Sequence, residues 1–257
     1  MVAAEPAHLP EACIRPFQRL GLTCATDYHR PRRFALAWRN RPGPAHGIRQ
    51  QGGGDGVSDA TVGNTLSIKV IAGSTREGRF SRTAAEWIGK ELMKREEVSA
   101  ELLDLRDYDL PFFNEAVTPS SKQEPYKHAA VARFTGKIAG GDAFVIVTPE
   151  YNHGTSGVLK NAMDWVYQEW NNKPVAFVSY GSVGGARAVE QLRLIAVELQ
   201  MAPIRNAIHI PGDQYFPVLS GKADVQELFA KLQKPVDLMI IQLLWWAKAL
   251  KNARGGG

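Results

Sequence analysis

Short apolar runs alternate with amphipathic segments from residue 66 to near the end of the chain. The runs rich in β-branched and other apolar residues predict strands over 66–72, 99–105, 143–148, 175–180 and 204–210. Helical periodicity predicts helices over 83–95, 126–138, 157–168, 186–199 and 224–253, the last broken or kinked at Pro235. Because parallel neighbours need crossover connections, this order predicts an α/β fold, a doubly wound five-stranded parallel sheet with helices on both faces.

Three segments differ in composition. Residues 1–64 carry six of the fifteen prolines within their first fifty positions, lack sustained periodicity and include the glycine-rich stretch 50–56. We predict that they form a disordered extension rich in Arg, Pro and Gly, either a native segment such as a transit peptide or residues added by an upstream start. Residues 65–215 are predicted to form the ligand-binding domain. Residues 216–257 are predicted to be a helical extension, packed on that domain or at an oligomer interface.

Charge is distributed unevenly along the chain. The net charge is +5, and residues 1–50 alone contain eight Arg, no Lys and three acidic residues. The remaining residues hold 23 basic and 23 acidic side chains, from totals of 31 and 26. Residues 51–257, called the body below, are therefore neutral overall, which argues against nucleic acid as their partner.

Cysteine usage argues against a disulfide-bonded or cysteine-metal protein, and hydropathy argues against a membrane-spanning one. Both cysteines, Cys13 and Cys24, precede the body, so no disulfide or cysteine metal site is expected there, which suits a reducing cytoplasm. The longest apolar run, 238–247, is interrupted by Gln242 and falls short of the roughly 20 residues that span a bilayer. No membrane partner is expected.

The loop after the first predicted strand reads GSTREGRFS over residues 73–81 and leads directly into a helix. Hydroxyls of Ser74 and Ser81 and guanidinium groups of Arg76 and Arg79 surround a helix N-terminus, where backbone amides favour anions. The loop lacks both the Lys-Ser/Thr pair of the Walker motif and the GxGxxG spacing. It favours a terminal monophosphate bound without a metal, and the alternative is a polar turn with a serine N-cap.

Two further loops combine glycine with polar residues. TPEYNHGTSG follows the third strand at 148–157, and SYGSVGGARA follows the fourth at 179–188. Ligands of such sheets bind beyond the carboxyl ends of the strands, so the loops after strands one, three and four are predicted to converge. Glu150 and His153 are either an acid–base pair or turn residues, since the sequence supplies no third group to orient them.

Residues 66–210 resemble the flavodoxin-like NADPH-dependent FMN reductases, a family that includes quinone, azo-dye and chromate reductases. The resemblance is carried by GSTREGRFS, by SYGSVGGARAVEQLR and, most specifically, by PEYNHGTSGVLKNAMDW. It implies an enzyme in which NADPH or NADH reduces bound FMN, which then reduces a quinone, azo compound, metal oxyanion or free flavin. The cofactor carries the redox chemistry, so neither a catalytic side chain nor a metal site is expected.

The resemblance also implies roles for single residues. Those expected to hold the FMN phosphate are Ser74, Arg76, Arg79 and Ser81. Those expected along the ribityl chain and ring are Pro149, Glu150, Tyr151 and Asn152. Those expected on the pyrimidine side are Ser179, Gly181, Gly184 and Gly185. A homodimer or homotetramer with residues 160–165 at or near its interface is implied as well.

Two other functions remain open at this point. One is a flavodoxin-type electron carrier without nicotinamide turnover, which the neutral body and the two loop arginines disfavour. The other is a nucleotide-sensing scaffold whose basic extension contacts nucleic acid. Selectivity between NADPH and NADH also stays open, because Arg187 either binds a 2′-phosphate or pairs with Glu190 on the same helix.

Overall fold

The computed structural model describes residues 65–122 and 125–255. The predicted five-stranded parallel sheet is confirmed, with strand order β2-β1-β3-β4-β5. The strands are β1 (Leu66–Ala72), β2 (Val98–Asp104), β3 (Ala143–Pro149), β4 (Pro174–Gly181) and β5 (Ala202–Pro211). Residues 1–64, for which disorder was predicted, lie outside the described part of the chain.

Helices cover both faces of the sheet, as predicted. They are α1 (Phe80–Met93), α2 (Ala129–Ala139), α3 (Gly157–Asp164), α4 (Ala186–Glu198), α5 (Gly212–Leu219), α6 (Val225–Lys231) and α7 (Gln233–Gly255). In β3, Val145 and Val147 face the layer that contains α1 and α7, whereas Phe144 and Ile146 face the layer of α2, α3 and α4. Successive strand residues point to opposite faces, so burial of both faces requires the uninterrupted apolar run seen in the sequence.

The helix bounds differ from prediction at several points. Helix α1 starts at Phe80, three residues early, because the Phe80 ring packs against Tyr180 and Tyr215. Ser81 therefore lies in the first turn of α1 and not in the preceding loop. The helix predicted from residue 126 begins at Ala129, and the one predicted to reach residue 168 ends at Asp164.

The predicted break at Pro235 is wrong in position. The chain interrupts its helix at Leu232, and Pro235 is the third residue of α7. The first N–H groups of a helix have no intrahelical acceptor, so a proline there removes no hydrogen bond. Helix α5 was not predicted, because Gly212 and Pro217 are typical of loops.

Helix α7 belongs to the same core as α1 and the sheet. Its residues Met239, Ile240 and Leu243 are buried in that core, and Lys251 pairs with Asp142 at 2.8 Å. The domain boundary predicted after residue 215 falls inside α5. No helix in the described residues has both the length and the hydropathy to cross a membrane.

Candidate active site

Loops that follow β1, β3 and β4 converge at the carboxyl edge of the sheet, as predicted. The Glu150 N–H donates to Tyr180 O at 3.0 Å, and the Gly73 N–H donates to Val147 O at 2.8 Å. A Cβ atom on Gly181 would lie 3.1 Å from Glu150 Cβ, so a side chain at this position would crowd the neighbouring loop. The three loops form one surface because their strands are adjacent in the sheet.

Residues 73–79, called the phosphate loop below, combine three features that suit an anion. Ser74 is buried, and its Oγ lies 2.9 Å from the Tyr151 hydroxyl on the β3–α3 loop. Arg76 is exposed, with its guanidinium carbon 5.6 Å from the centre of the Tyr151 ring. The N-cap of α1 is Arg79, which makes no side-chain capping bond, so the helix presents uncapped N–H groups there.

Arg79 and Ser81 are placed differently from the expectation of a simple phosphate cradle. The Arg79 guanidinium is largely buried and forms an ion pair with Asp104 at the end of β2. Arg82 contacts the same carboxylate at 2.9 Å. Ser81 is fully buried, and its Oγ has no hydrogen-bond partner in the described structure. Among the four predicted phosphate residues, Arg76 is therefore the one whose charged group is exposed at the loop.

The β3–α3 loop makes a tight turn beside the phosphate loop. Asn152 and His153 have φ angles of 50° and 67°, and Tyr151 and Gly154 exchange backbone hydrogen bonds of 2.9 and 3.0 Å. Two successive positive φ angles between paired residues define a type I′ turn. The turn exposes the side chains of Asn152 and His153 at the edge of the site.

Arg187 at the start of α4 holds this turn. Its Nε donates to Glu150 Oε1 at 2.6 Å, its backbone N–H donates to Glu150 Oε2 at 3.1 Å, and Nη1 lies 2.9 Å from His153 Nε2. Gln191 Nε2 also donates to His153 O at 3.0 Å. Arg187 thus joins the two groups for which the sequence supplied no third partner. Its ion pair is with Glu150, and the alternative pairing with Glu190 is not the one formed.

We expect Arg187→Gln to lower the free energy of unfolding by about 1–2 kcal/mol, since the Glu150 carboxylate is 4% exposed and would lose its cationic partner. The half-exposed arginine keeps this below the cost of a fully buried pair. Urea unfolding of the apo chain measures the change. The double variant Glu150→Gln/Arg187→Gln removes both charges and should recover part of the loss; a double variant that is less stable than Arg187→Gln would contradict this account.

The β4–α4 loop exposes Ser182 and Val183 and then continues through two buried glycines. Gly184 and Gly185 both have φ near 75°, a backbone conformation that residues other than glycine rarely adopt. A Cβ on Gly185 would also meet Ser179 Cβ at 2.7 Å. Ser179 is completely buried under this loop, so its hydroxyl faces the protein.

Two cavities border the phosphate loop. One of 170 Å³ lies between this loop and the ends of β3 and β4, and Tyr180, Tyr215 and Phe216 contribute to its wall. Burial raises the pKa of both Tyr180 and Tyr215, so their hydroxyls stay protonated at neutral pH. The other, of 370 Å³, is bordered by Thr75, Arg106 and residues of α3.

Sequence reasoning missed Asp104, Tyr180, Tyr215 and Phe216. Asp104 carried a usable signal, an acidic residue at the carboxyl end of a strand next to β1. Tyr215 and Phe216 carried none once α5 had been overlooked. No cluster of three or more His, Cys, Asp or Glu side chains in the described ranges is arranged to hold a metal ion.

The fold and the three loops define a flavodoxin-like α/β protein with a loop that suits an anion at the carboxyl edge of its sheet. Residues 66–214 match the family described as NADPH-dependent FMN reductase, and the chain belongs to this family. It is therefore an oxidoreductase with FMN as cofactor and a nicotinamide as electron donor.

Individual relatives agree with this assignment. The NAD(P)H-dependent FMN reductase of Schizosaccharomyces pombe is 39% identical over 170 residues, covering 65% of this chain and 83% of the relative. An NAD(P)H-dependent FMN reductase of a Nectria species is 35% identical, covering 67% and 91%. The solved flavoenzyme NAD(P)H:acceptor oxidoreductase of Paracoccus denitrificans has a TM-score of 0.53 at 23% identity, covering 70% of this chain and 97% of that one, and supports the fold.

Proposed function

We propose that this chain binds FMN across the carboxyl edge of its sheet and transfers electrons from NAD(P)H to a small acceptor of the quinone, azo, metal-oxyanion or free-flavin type. When bound, FMN supplies the redox chemistry by taking electrons from a nicotinamide and giving them to the acceptor. The observation that carries the proposal is the uncapped N-terminus of α1 beside Ser74 and Arg76, with two glycine-containing loops next to it. These groups fit a phosphate at one end and a flat ring at the other.

Each of the four residues predicted at the phosphate end keeps a proposed role. Arg76 supplies charge to the phosphate, and the buried Ser74 hydroxyl, fixed by Tyr151, supplies a hydrogen bond. Arg79 neutralises Asp104 and so keeps a buried negative charge from repelling the phosphate. Ser81, buried in the first turn of α1, is proposed to support the same end of the site from within the protein.

The ring end is proposed to lie against the turn and the loop that Arg187 joins. The residues concerned are Pro149, Glu150, Tyr151, Asn152, Ser179, Gly181, Gly184 and Gly185. Backbone would approach a planar ligand closely at Pro149, Gly181, Gly184 and Gly185. The side chains of Glu150 and Ser179 instead form hydrogen bonds within the protein that fix the loops. Orientation and exclusion of water are then the protein's contributions to the reaction.

The test is an absorbance titration of the purified chain with FMN, followed by anaerobic addition of NADPH or NADH and then of an acceptor. Binding of FMN, bleaching of its visible band by a nicotinamide and recovery on adding a quinone are expected. A chain that binds no FMN, or whose bound FMN neither nicotinamide bleaches, would overturn the proposal. Comparing the two nicotinamides also identifies the electron donor. Arg187, the candidate group for a 2′-phosphate, already bonds to Glu150 and lies against His153.

We also propose a homodimer or homotetramer and a cytoplasmic location. Leu238, Ile241 and Trp245 are each more than half exposed along one side of α7, which supports self-association there. Trp165, in contrast, is fully buried, so residues 160–165 would contribute the exposed Lys160–Asp164 ion pair to an interface rather than the indole. A monomeric mass by light scattering at micromolar concentration, or recovery of the protein with membranes on cell fractionation, would contradict these proposals.

A further inference from the structure

Two hydrogen bonds connect the β4–α4 loop to strand β5 through Ser179. Ser179 Oγ donates to Gly184 O at 2.7 Å and lies 2.8 Å from Nδ1 of His209. Ser179 and His209 are register partners on β4 and β5, and β5 is an edge of the sheet.

The direction of these bonds follows from the number of protons available. The serine hydroxyl has one proton and two carbonyls within reach, Gly184 O at 2.7 Å and Ile208 O at 3.4 Å. We assign the proton to the nearer Gly184 carbonyl, which leaves a lone pair facing His209. His209 must then carry its proton on Nδ1 and donate it to Ser179. Desolvation of the ring lowers the pKa of His209, and the charge of Arg193 lowers it further. The Gly184 carbonyl and Glu190 raise it, but the net pKa is below the ordinary value. The ring is therefore neutral at neutral pH, and its single proton lies on Nδ1.

The two glycines of the β4–α4 loop lie close to the residues beneath them. A Cβ on Gly184 would lie 3.0 Å from His209 Cβ, and a Cβ on Gly185 would lie 2.9 Å from Tyr180 N. Both glycines have φ near 75°. His209 is exposed on the edge strand. Because alanine would keep the Cβ contact, His209→Ala removes from this loop the ring and its hydrogen bond with Ser179.

We propose that His209 is a positioning residue for the flavin ring, acting through Ser179 on the backbone of Gly184 and Gly185. The inference rests on the proposed function, because it assigns the β4–α4 loop to the ring end of FMN. Loss of a residue that acts on the ring and not on the phosphate should weaken FMN and riboflavin binding equally. Variants of the phosphate loop are expected to change FMN binding alone.

The experiment compares His209→Ala with His209→Asn in the full chain. The asparagine side-chain N–H can replace Nδ1–H as donor to Ser179, whereas alanine cannot. Arg205→Gln changes an exposed side chain on the same strand and serves as the matched control. Dissociation constants for FMN and riboflavin are measured by flavin fluorescence, and the midpoint potential of bound FMN by equilibration with a reference dye.

His209→Ala is expected to weaken both ligands about fivefold, as for one lost hydrogen bond, and to move the potential toward that of free FMN. His209→Asn and Arg205→Gln should stay close to the wild type, and Ser179→Ala should add little when combined with His209→Ala. Wild-type affinity and potential in His209→Ala, or equal losses in His209→Ala and His209→Asn, would overturn this inference alone. Failure of the wild-type chain to bind FMN would overturn it together with the proposed function.

Discussion

Asp104→Asn is expected to lower the free energy of unfolding by about 3 kcal/mol at neutral pH. The Asp104 side chain is 1% exposed and faces two guanidinium groups, of which that of Arg79 is 9% exposed. The substitution leaves the buried Arg79 charge without its counter-ion, the situation in which broken ion pairs cost most. Urea unfolding of the apo chain measures the loss.

The same effect has a defined pH dependence. Burial by itself would raise the pKa of Asp104, but the Arg106 N–H and the guanidinium groups of Arg82 and Arg79 together hold it below its ordinary value. A lowered folded-state pKa means that the stabilisation is present above the pKa of the unfolded chain and is lost as the pH falls through the folded-state value. The difference between wild type and Asp104→Asn should therefore shrink in acid.

Asp107→Asn is the matched control, because it removes an exposed carboxylate three residues further on. It should change the free energy of unfolding by less than about 0.5 kcal/mol. Equal effects of the two substitutions, or a difference for Asp104→Asn that grows as the pH is lowered, would show that the ion pair with Arg79 does not stabilise the fold.

Much of the fold follows from the apolar pattern of the sequence. The run that forms β3 is buried on both faces, which only a strand covered by helices on each side allows. Parallel pairing then places three loops at one edge whatever their sequences. Helix α5 escaped prediction because Gly212 and Pro217 lie within its eight residues. In the fold, Tyr215 of this helix packs against Phe80 and Tyr180, contacts that local sequence does not show.

The site was less predictable, because residue types were visible but partners were not. Arg79 was expected on phosphate and lies on Asp104, 25 residues further along the chain. Arg187 had a local candidate in Glu190 and instead reaches Glu150, across 37 residues. Both choices are decided by which strand ends are neighbours, information that local spacing does not contain. The ring-side residues came from family resemblance and not from spacing.

FMN is expected to bind roughly ten- to a hundredfold more tightly than riboflavin, and Arg76→Ala to remove much of that difference. The two ligands differ by the phosphate group, and each charge-assisted hydrogen bond to it contributes about 1.5–3 kcal/mol. Because Arg79 is paired with Asp104, Arg76 provides the exposed guanidinium of the phosphate loop. The uncapped N–H groups of α1 remain in the variant, so part of the preference for FMN should persist.

Lys90→Ala is the control for this comparison, since it removes one positive charge from the exposed last turn of the same helix. It should leave both dissociation constants unchanged at physiological salt, where charges more than about 8 Å apart are screened. Riboflavin affinity should also be unchanged in Arg76→Ala, because riboflavin has no phosphate to lose. Equal binding of FMN and riboflavin by the wild type would contradict the assignment of residues 73–79 to the phosphate. A parallel loss of both ligands in Arg76→Ala would instead place Arg76 against the ring, where its contact with Tyr151 already brings it close to the β3–α3 turn.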